Sequence, residues 1–411
     1  MTATGHDAPP LGRRLAPLVE AAGRLSPELE RRFARHLALS GFDALAQRRL
    51  AAARVAVIGA GGLGSPVLLY LAAAGVGTLG IIDDDTVEVS NLQRQIIHTE
   101  AALGGSKVDS AARTVGALNS GVTITRHPIR LDAHNALATL SGYDLIMDGS
   151  DNFATRYLVG DAAEILGIPC VWGSILGEDG RLTTFWATPS DGLPGRTYRD
   201  LFPALPPAGS VLNCAQGGVL GVLCGSVGAA MATEAVNLIT GRGYSLLGRL
   251  LSVNALQQSW REIRFEADPG RNPVTTLTSP ASGPLCATAV GPDGHPAAGA
   301  DASFWSVEDL AHGLEAPTRR ERFLFVDVRS AAERRLAAIN GTRAIPYAEL
   351  LAGIHDHTLP TDTPVVYLCH HGVRSENLVR ALRERGRSND ISVIGGIEAW
   401  SRHIDPTLPR Y

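Results

Sequence analysis

Arg54-Val55-Ala56-Val57-Ile58-Gly59-Ala60-Gly61-Gly62-Leu63-Gly64 is the stretch that decides how the N-terminal part of this chain is read. A short apolar run stops at glycine, three further glycines follow, and Ser65 to Ala74 then has helical spacing. A strand that enters a helix through such a loop leaves the first helical N–H groups unpaired and facing outward. Those groups and the helix dipole favour an anion, and the glycines let a phosphate come close. Outward from the loop, Thr78 to Ile82 reads as a second strand that ends at Asp83, a residue able to accept from ribose hydroxyls. Asp144 to Met147 and Pro169 to Gly173 read as further buried strands. Helices are expected over Ser106 to Asn119 and Phe153 to Leu166. Strands alternating with helices predict an α/β fold with a mostly parallel, Rossmann-like sheet. On the glycine loop and Asp83 alone, a nicotinamide or flavin dehydrogenase is the leading reading.

Charge placement separates the alternatives. The chain holds 37 Lys plus Arg, and Lys107 is its single lysine. An ammonium is a compact point charge suited to polyphosphate, whereas guanidinium suits flat carboxylates. Ser90-Asn91-Leu92-Gln93-Arg94-Gln95 adds a polar loop with one guanidinium, and Asp148-Gly149-Ser150-Asp151-Asn152 ends a later strand with carboxylates. Taken singly, each is ordinarily a solvated surface group. Gathered at successive strand ends, they suit a triphosphate attacked at its α-phosphorus, which needs cations and a carboxylate-held Mg2+.

These motifs resemble the adenylation site of ubiquitin-activating-type enzymes of the ThiF family, above all the prokaryotic activators of sulfur-carrier proteins. Arg32-Phe33-Ala34-Arg35-His36 and Gly41-Phe42-Asp43 extend the resemblance upstream. The resemblance implies that Gly59, Gly61, Gly62, Gly64, Asp83, Ser90, Asn91, Leu92, Gln93, Arg94, Lys107, Asp151 and Asn152 contact MgATP, with Asp151 facing the metal. It also implies a homodimer in which Arg35 reaches the partner's ATP. Many relatives hold zinc through two C-x-x-C pairs. The corresponding places here, Thr197-Tyr198-Arg199-Asp200 and Arg271 to Leu277, contain no cysteine, so no zinc is expected.

A second chemistry begins at Cys369-His370-His371-Gly372-Val373-Arg374-Ser375, between the strand Pro364 to Leu368 and the helical stretch Glu376 to Arg385. A cysteine in a short loop before a helix N-terminus meets backbone N–H groups that favour its thiolate and can cradle an added sulfur. Arg374 contributes a positive charge. Cys-phosphatase loops typically carry one more residue between Cys and Arg. With Asp327-Val328-Arg329, Glu333 and Gly395 to Trp400, the pattern resembles a rhodanese domain, which implies a persulfide on Cys369. Cys214, in Asn213-Cys214-Ala215-Gln216-Gly217-Gly218, ends a Pro- and Gly-rich loop before a helix. It reads either as a packing residue or as an accessible thiol. The resemblance implies that it forms a thioester or resolves an acyl disulfide.

At 411 residues the chain is too long for one ordinary core. The expected division is an N-terminal tail over 1–24, an adenylation domain over 25–266, a Pro/Gly/Ala/Ser-rich linker over 267–302 and a rhodanese-like α/β domain over 303–411. A formal charge of −4 offers no field for nucleic acid. The apolar stretch 217–236 contains Glu234 and reads as a buried helix rather than a membrane span. The first residues lack a signal pattern, which points to the cytoplasm. Five widely spaced cysteines argue against a disulfide framework, and Cys170 and Cys224 read as inert core residues. Together these readings predict an enzyme that adenylates the C-terminal glycine of a ubiquitin-like carrier ending in Gly-Gly. Sulfur would come from thiosulfate or a cysteine-desulfurase persulfide by way of Cys369. Activation with an idle rhodanese domain and a dinucleotide-dependent oxidoreductase are the alternatives.

Overall fold

The computed structural model describes residues 14–190, 192–205, 218–278, 303–315 and 322–410, which fall into two compact units. The first is built on eight strands: β1 (Arg54–Ile58), β2 (Thr78–Ile82), β3 (Thr123–His127), β4 (Leu145–Asp148), β5 (Cys170–Leu176), β6 (Asp179–Phe185), β7 (Arg249–Asn254) and β8 (Ser259–Arg264). Their order is β3-β2-β1-β4-β5-β6-β7-β8. The strands from β3 to β5 are parallel, and those from β5 onward pair antiparallel. The mostly parallel sheet expected from the sequence is present. Register does the functional work. Ile58 pairs with Ile82 on one side and Asp148 on the other, so β1, β2 and β4 end level and release their loops side by side. In a parallel sheet this carboxyl edge is where ligands bind.

The β1 strand is buried from Val55 to Ile58, as a central parallel strand covered by helices must be. Helix Gly64–Ala74 covers one face, and helix Gly221–Thr240 packs there too, with Val57, Leu68, Leu71, Val227, Met231 and Ala235 in a shared core. Helix Phe153–Leu166 places Leu158, Val159 and Ala162 with Ile58 and Ile146 on the other face. Helix Gly221–Thr240 is long and apolar enough to cross a bilayer, yet it lies in this core. Its one acid, Glu234, is bonded to Thr184 Oγ1 (2.7 Å), Ser245 Oγ (2.9 Å) and the Leu246 N–H (2.8 Å). That agrees with its reading as a buried helix.

Two segments read as tail and linker carry packing. Leu15 and Val19 join the core, and the Leu18 N–H donates to Leu238 O. Leu277 packs beside the Phe153–Leu166 helix core. The two segments at which the resemblance raised the question of zinc are tied by charge. Arg271 reaches Asp200 Oδ1 (3.4 Å) and Glu164 Oε1 (3.0 Å), the Asp268 N–H donates to Asp200 (3.0 Å), and Arg199 forks onto Asp161 (2.6 and 2.8 Å).

The second unit holds β9 (Phe304–Trp305), β10 (Leu324–Asp327), β11 (Arg343–Ala344), β12 (Val365–Leu368) and β13 (Ile391–Val393). The order is β11-β10-β12-β13-β9, with every pair parallel. Alternation along β12 sends Val366 and Leu368 into one apolar cluster, and Val365 and Tyr367 into another on the opposite face. Arg329 is fully buried. It is paired with Asp327, which Arg334 also reaches at 2.8 Å.

Candidate functional site

The glycine loop is shaped by contacts that only glycine allows. Gly59 has φ +85°, and a Cβ on Gly64 would lie 1.8 Å from Gly59 O. A Cβ on Gly62 would meet Cys224 Sγ at 2.8 Å, whereas one on Gly61 would meet only Gln95 Nε2 at 3.6 Å. Gly59 and Gly64 are therefore set by the chain's own turn. Gly61 has room in the protein itself, so its lack of a side chain is not required by the turn.

Two side chains hold the Ala60 peptide. Its N–H donates to Asp83 Oδ2 at 2.8 Å, and its carbonyl accepts from His98 Nε2 at 2.9 Å. His98 Nδ1 lies 2.9 Å from Ser110 Oγ, on helix Lys107–Leu118. Burial lowers the pKa of His98, so the neutral ring with its proton on Nε2 fits this bonding. His98 was not read from the sequence. Its position after Arg94-Gln95-Ile96-Ile97 was the only hint, and a lone histidine in an apolar context is ordinarily a packed one.

The loops after β1, β2 and β4 enclose a solvent-open cleft of about 690 Å3, lined by Gly59, Asp83, Asp85, Ser150, Asp151 and Asn152 among others. Asp83 faces it, but its carboxylate already accepts from the Ala60 and Asp85 N–H groups. Burial raises its pKa, against the opposing charge of Lys107. It therefore holds the loop first, and only its remaining lone pairs can meet a ribose. The Lys107 ammonium is almost buried and reaches Asp85 Oδ2 at 2.7 Å. Asp85 is a partner the sequence reading missed, although the run Asp83-Asp84-Asp85 was the available signal. The carboxylate oxygens of those three residues lie within 4.8 Å of one another. Hard oxygen donors of this kind suit Mg2+.

The Arg94 stem passes over Gly62, and its Nη1 donates to Ser90 O at 2.9 Å. Asn91 is buried, and its Oδ1 accepts the Glu88 N–H at 3.3 Å, so it shapes the loop. The Gln93 backbone packs on Gly221, where a Cβ would meet Gln93 O at 2.2 Å. Leu92 is half-buried, and Ser90 is exposed. Asp151 and Asn152 are exposed on the cleft wall, with Asn152 Oδ1 capping helix Phe153–Leu166 through the Thr155 N–H (2.9 Å). Asp148 is buried behind them and accepts the Ser150 N–H at 2.9 Å.

Arg35 is not brought to this cleft. It is exposed on helix Ala34–Leu37, two residues from Phe33. The Phe33 ring lies against Gly75, which closes the far end of the eleven-residue glycine-loop helix. That helix is about 16 Å long.

In the second unit Cys369 follows β12, and its side chain is buried. Its Sγ accepts the Gly372 N–H at 3.1 Å and lies 3.5 Å from Ser375 Oγ, which also donates to Gly372 O at 2.9 Å. Ser392 Oγ donates to Ser375 Oγ at 2.9 Å. The helix begins at Val373, three residues before the expected Glu376, so Arg374 belongs to its first turn. Gly396 seals the loop from below. The Ile397 and Glu398 N–H groups donate to the Cys369 and His370 carbonyls at 2.9 and 3.0 Å, and a Cβ on Gly396 would lie 2.4 Å from Cys369 O. Cys170 and Cys224 are buried, and burial pushes the Cys170 thiol far up, which leaves it unreactive. Cys214 and Cys286 lie outside the described residues.

The chain matches the ThiF family over residues 33–273 and the rhodanese-like domain over residues 306–403. It is 44% identical to the probable adenylyltransferase/sulfurtransferase MoeZ of Mycobacterium tuberculosis, over 97% of this chain and 99% of the relative. It is 36% identical to the adenylyltransferase and sulfurtransferase MOCS3-2 of Zea mays (95% and 82% covered). With MOCS3 of Anopheles gambiae the identity is 37% (92% and 88% covered). Among solved structures, E. coli MccB with MccA-N7isoASN superposes with a TM-score of 0.53 at 18% identity, over 61% of this chain and 76% of that one. That likeness is one of fold.

Proposed function

The chain belongs to the ThiF family, carries a rhodanese-like domain and is a transferase, and on that footing we propose that it adenylates a ubiquitin-like sulfur-carrier protein and converts it to a thiocarboxylate. The carrier's C-terminal glycine carboxylate attacks the α-phosphorus of ATP, and pyrophosphate leaves. The glycine-loop N–H groups receive phosphate oxygens. Lys107 and Arg94 balance the charge of the leaving group, and Asp151 holds the Mg2+ that travels with ATP. Arg35 is exposed and does not line its own cleft, which supports a homodimer in which it serves the partner's nucleotide.

The terminal sulfur of a Cys369 persulfide then attacks the acyl carbon. AMP departs and an acyl disulfide forms. Cys214 either attacks the Cys369 sulfur of that adduct, so that the thiocarboxylate leaves and a Cys214–Cys369 disulfide forms for a cellular thiol to reduce, or carries the acyl group earlier as a thioester. The reaction belongs in the cytoplasm. The observation that carries this reading is one chain with two anion cradles at parallel-strand ends, one beside the single lysine and one around a buried cysteine. The test is ATP–pyrophosphate exchange that depends on a carrier ending in Gly-Gly, followed by intact mass for one oxygen replaced by sulfur. Exchange without the carrier, or nucleotide protection by NAD rather than ATP, would refute it.

A further inference from the structure

The loop around Cys369 keeps its strong cation in a closed pair. From Cys369 to Ser375 the only Lys or Arg is Arg374, and its guanidinium forks onto Glu333, Nη1 to Oε2 at 3.0 Å and Nη2 to Oε1 at 2.5 Å. Glu333 is fixed in turn by a capping box at the start of helix Ala331–Leu336. Its Oε2 accepts the Ser330 N–H at 2.9 Å, and its own N–H donates to Ser330 Oγ at 3.2 Å. Burial works against its charge, but Arg374 and the Ser330 N–H outweigh it and hold the carboxyl at about 2, so it stays ionised. Burial, with His371 stacked on it at a centroid distance of 4.0 Å, lowers His370 to about 4, so that ring is neutral near pH 7. The nearest charges cancel, and the donor that faces the cysteine sulfur is the Gly372 N–H.

We propose that Glu333 is a specificity-determining residue of sulfur loading: by neutralising Arg374 it closes the Cys369 loop to dianionic donors such as thiosulfate and leaves it open to persulfides. The inference rests on the sulfur-transfer reading above. In the favoured step the Cys369 thiolate attacks the outer sulfur of R–S–SH. A Cys369 Sγ–S bond forms, the donor S–S bond breaks, and the donor leaves as R–S−. With thiosulfate the leaving group is sulfite. Neither exchange needs an outside oxidant or reductant. They differ in charge, because a thiolate approaching a dianion requires a cation whose field reaches the donor, and a forked ion pair has little field beyond its own atoms.

The test uses the full chain, with thiosulfate and glutathione persulfide as probes and sulfur on Cys369 read by intact mass. Wild type should load efficiently from glutathione persulfide and poorly from thiosulfate. Glu333→Gln keeps the capping geometry. It should raise kcat/KM for thiosulfate about tenfold or more, a gain that salt abolishes, while loading from glutathione persulfide moves by less than about twofold. Glu333→Asp, which retains the charge, should stay near wild type with both. No gain for Glu333→Gln with thiosulfate, or a wild-type preference for thiosulfate, overturns the proposal. If neither donor loads wild-type Cys369, the sulfur-transfer reading itself falls.

Discussion

In the glycine-loop unit, Lys107 is 8% exposed and its partner Asp85 is 66% exposed, so their pair opens toward a cleft. In the rhodanese-like unit, Arg374 and Glu333 are 12% and 22% exposed, and a capping box holds the acid from behind. Both units use the same backbone device, a parallel strand running through a glycine-containing loop into a helix N-terminus. They differ in how the nearby cation is stored. A partner standing in solvent is rehydrated when a polyphosphate displaces it, so it gives way more readily than one fixed inside the fold. A partner fixed on both sides withholds its cation. On the proposed function, the first arrangement would recruit an anionic substrate and the second would shelter a nucleophilic sulfur.

The contrast can be broken most completely at Cys369. Cys369→Ala should abolish persulfide and thiocarboxylate yet leave carrier-dependent pyrophosphate exchange intact; loss of both would mean the two chemistries are not divided this way. Lys107→Ala should slow that exchange by about 10^2–10^3, the scale of losing one preorganised charge donor. Lys107→Arg should recover little of it, because a planar fork does not replace a point charge. An exchange rate near wild type in Lys107→Ala would remove the lysine from the chemistry.

Within the loop, Gly64→Ala should destabilise the first unit by about 1–3 kcal/mol or more through its clash with Gly59 O. Gly61→Ala should leave thermal unfolding unchanged and raise KM for ATP. Equal melting shifts in the two variants would show that space in the turn does not separate their roles.

The smallest effect is expected at the Asp200–Arg271 tie. Burial raises the Asp200 carboxyl, but the Asp268 and Thr197 N–H groups and Arg271 bring it below its ordinary value. A depressed carboxyl contributes stability above its unfolded pKa of about 4 and loses it as pH falls through the folded value. Arg271→Gln should cost about 1–2 kcal/mol in urea unfolding at neutral pH, with a smaller difference once Asp200 is protonated. A cost independent of pH would assign the tie to packing alone.

Much of the fold was readable because it is local. The run Arg54–Ile58, the glycine loop and helix Phe153–Leu166 follow from periodicity and turn chemistry within a few residues. The start of the helix after Cys369 was misplaced because Gly372, at φ +90°, caps it earlier than the polar run suggested. Asp83 was read as a ribose ligand, yet its first partners are the Ala60 and Asp85 N–H groups. Residues 1–24 were read as a tail, but Leu15 and Val19 find an apolar surface that lies far off in sequence.

By itself the sequence determined two strand–loop–helix cradles, a lone ammonium near one and a thiol in the other, because those features depend only on neighbouring residues. Tertiary structure decided which acid each cation faces: Lys107 with Asp85 across 22 positions, Arg374 with Glu333 across 41, Arg271 with Glu164 across 107. It also placed His98 beneath Ala60, 38 positions away. The physical reason is tertiary packing: parallel-strand register brings loops out at one level for the Lys107 and His98 partners, and the packing of the segment after β8 against helix Phe153–Leu166 sets the Arg271 pair.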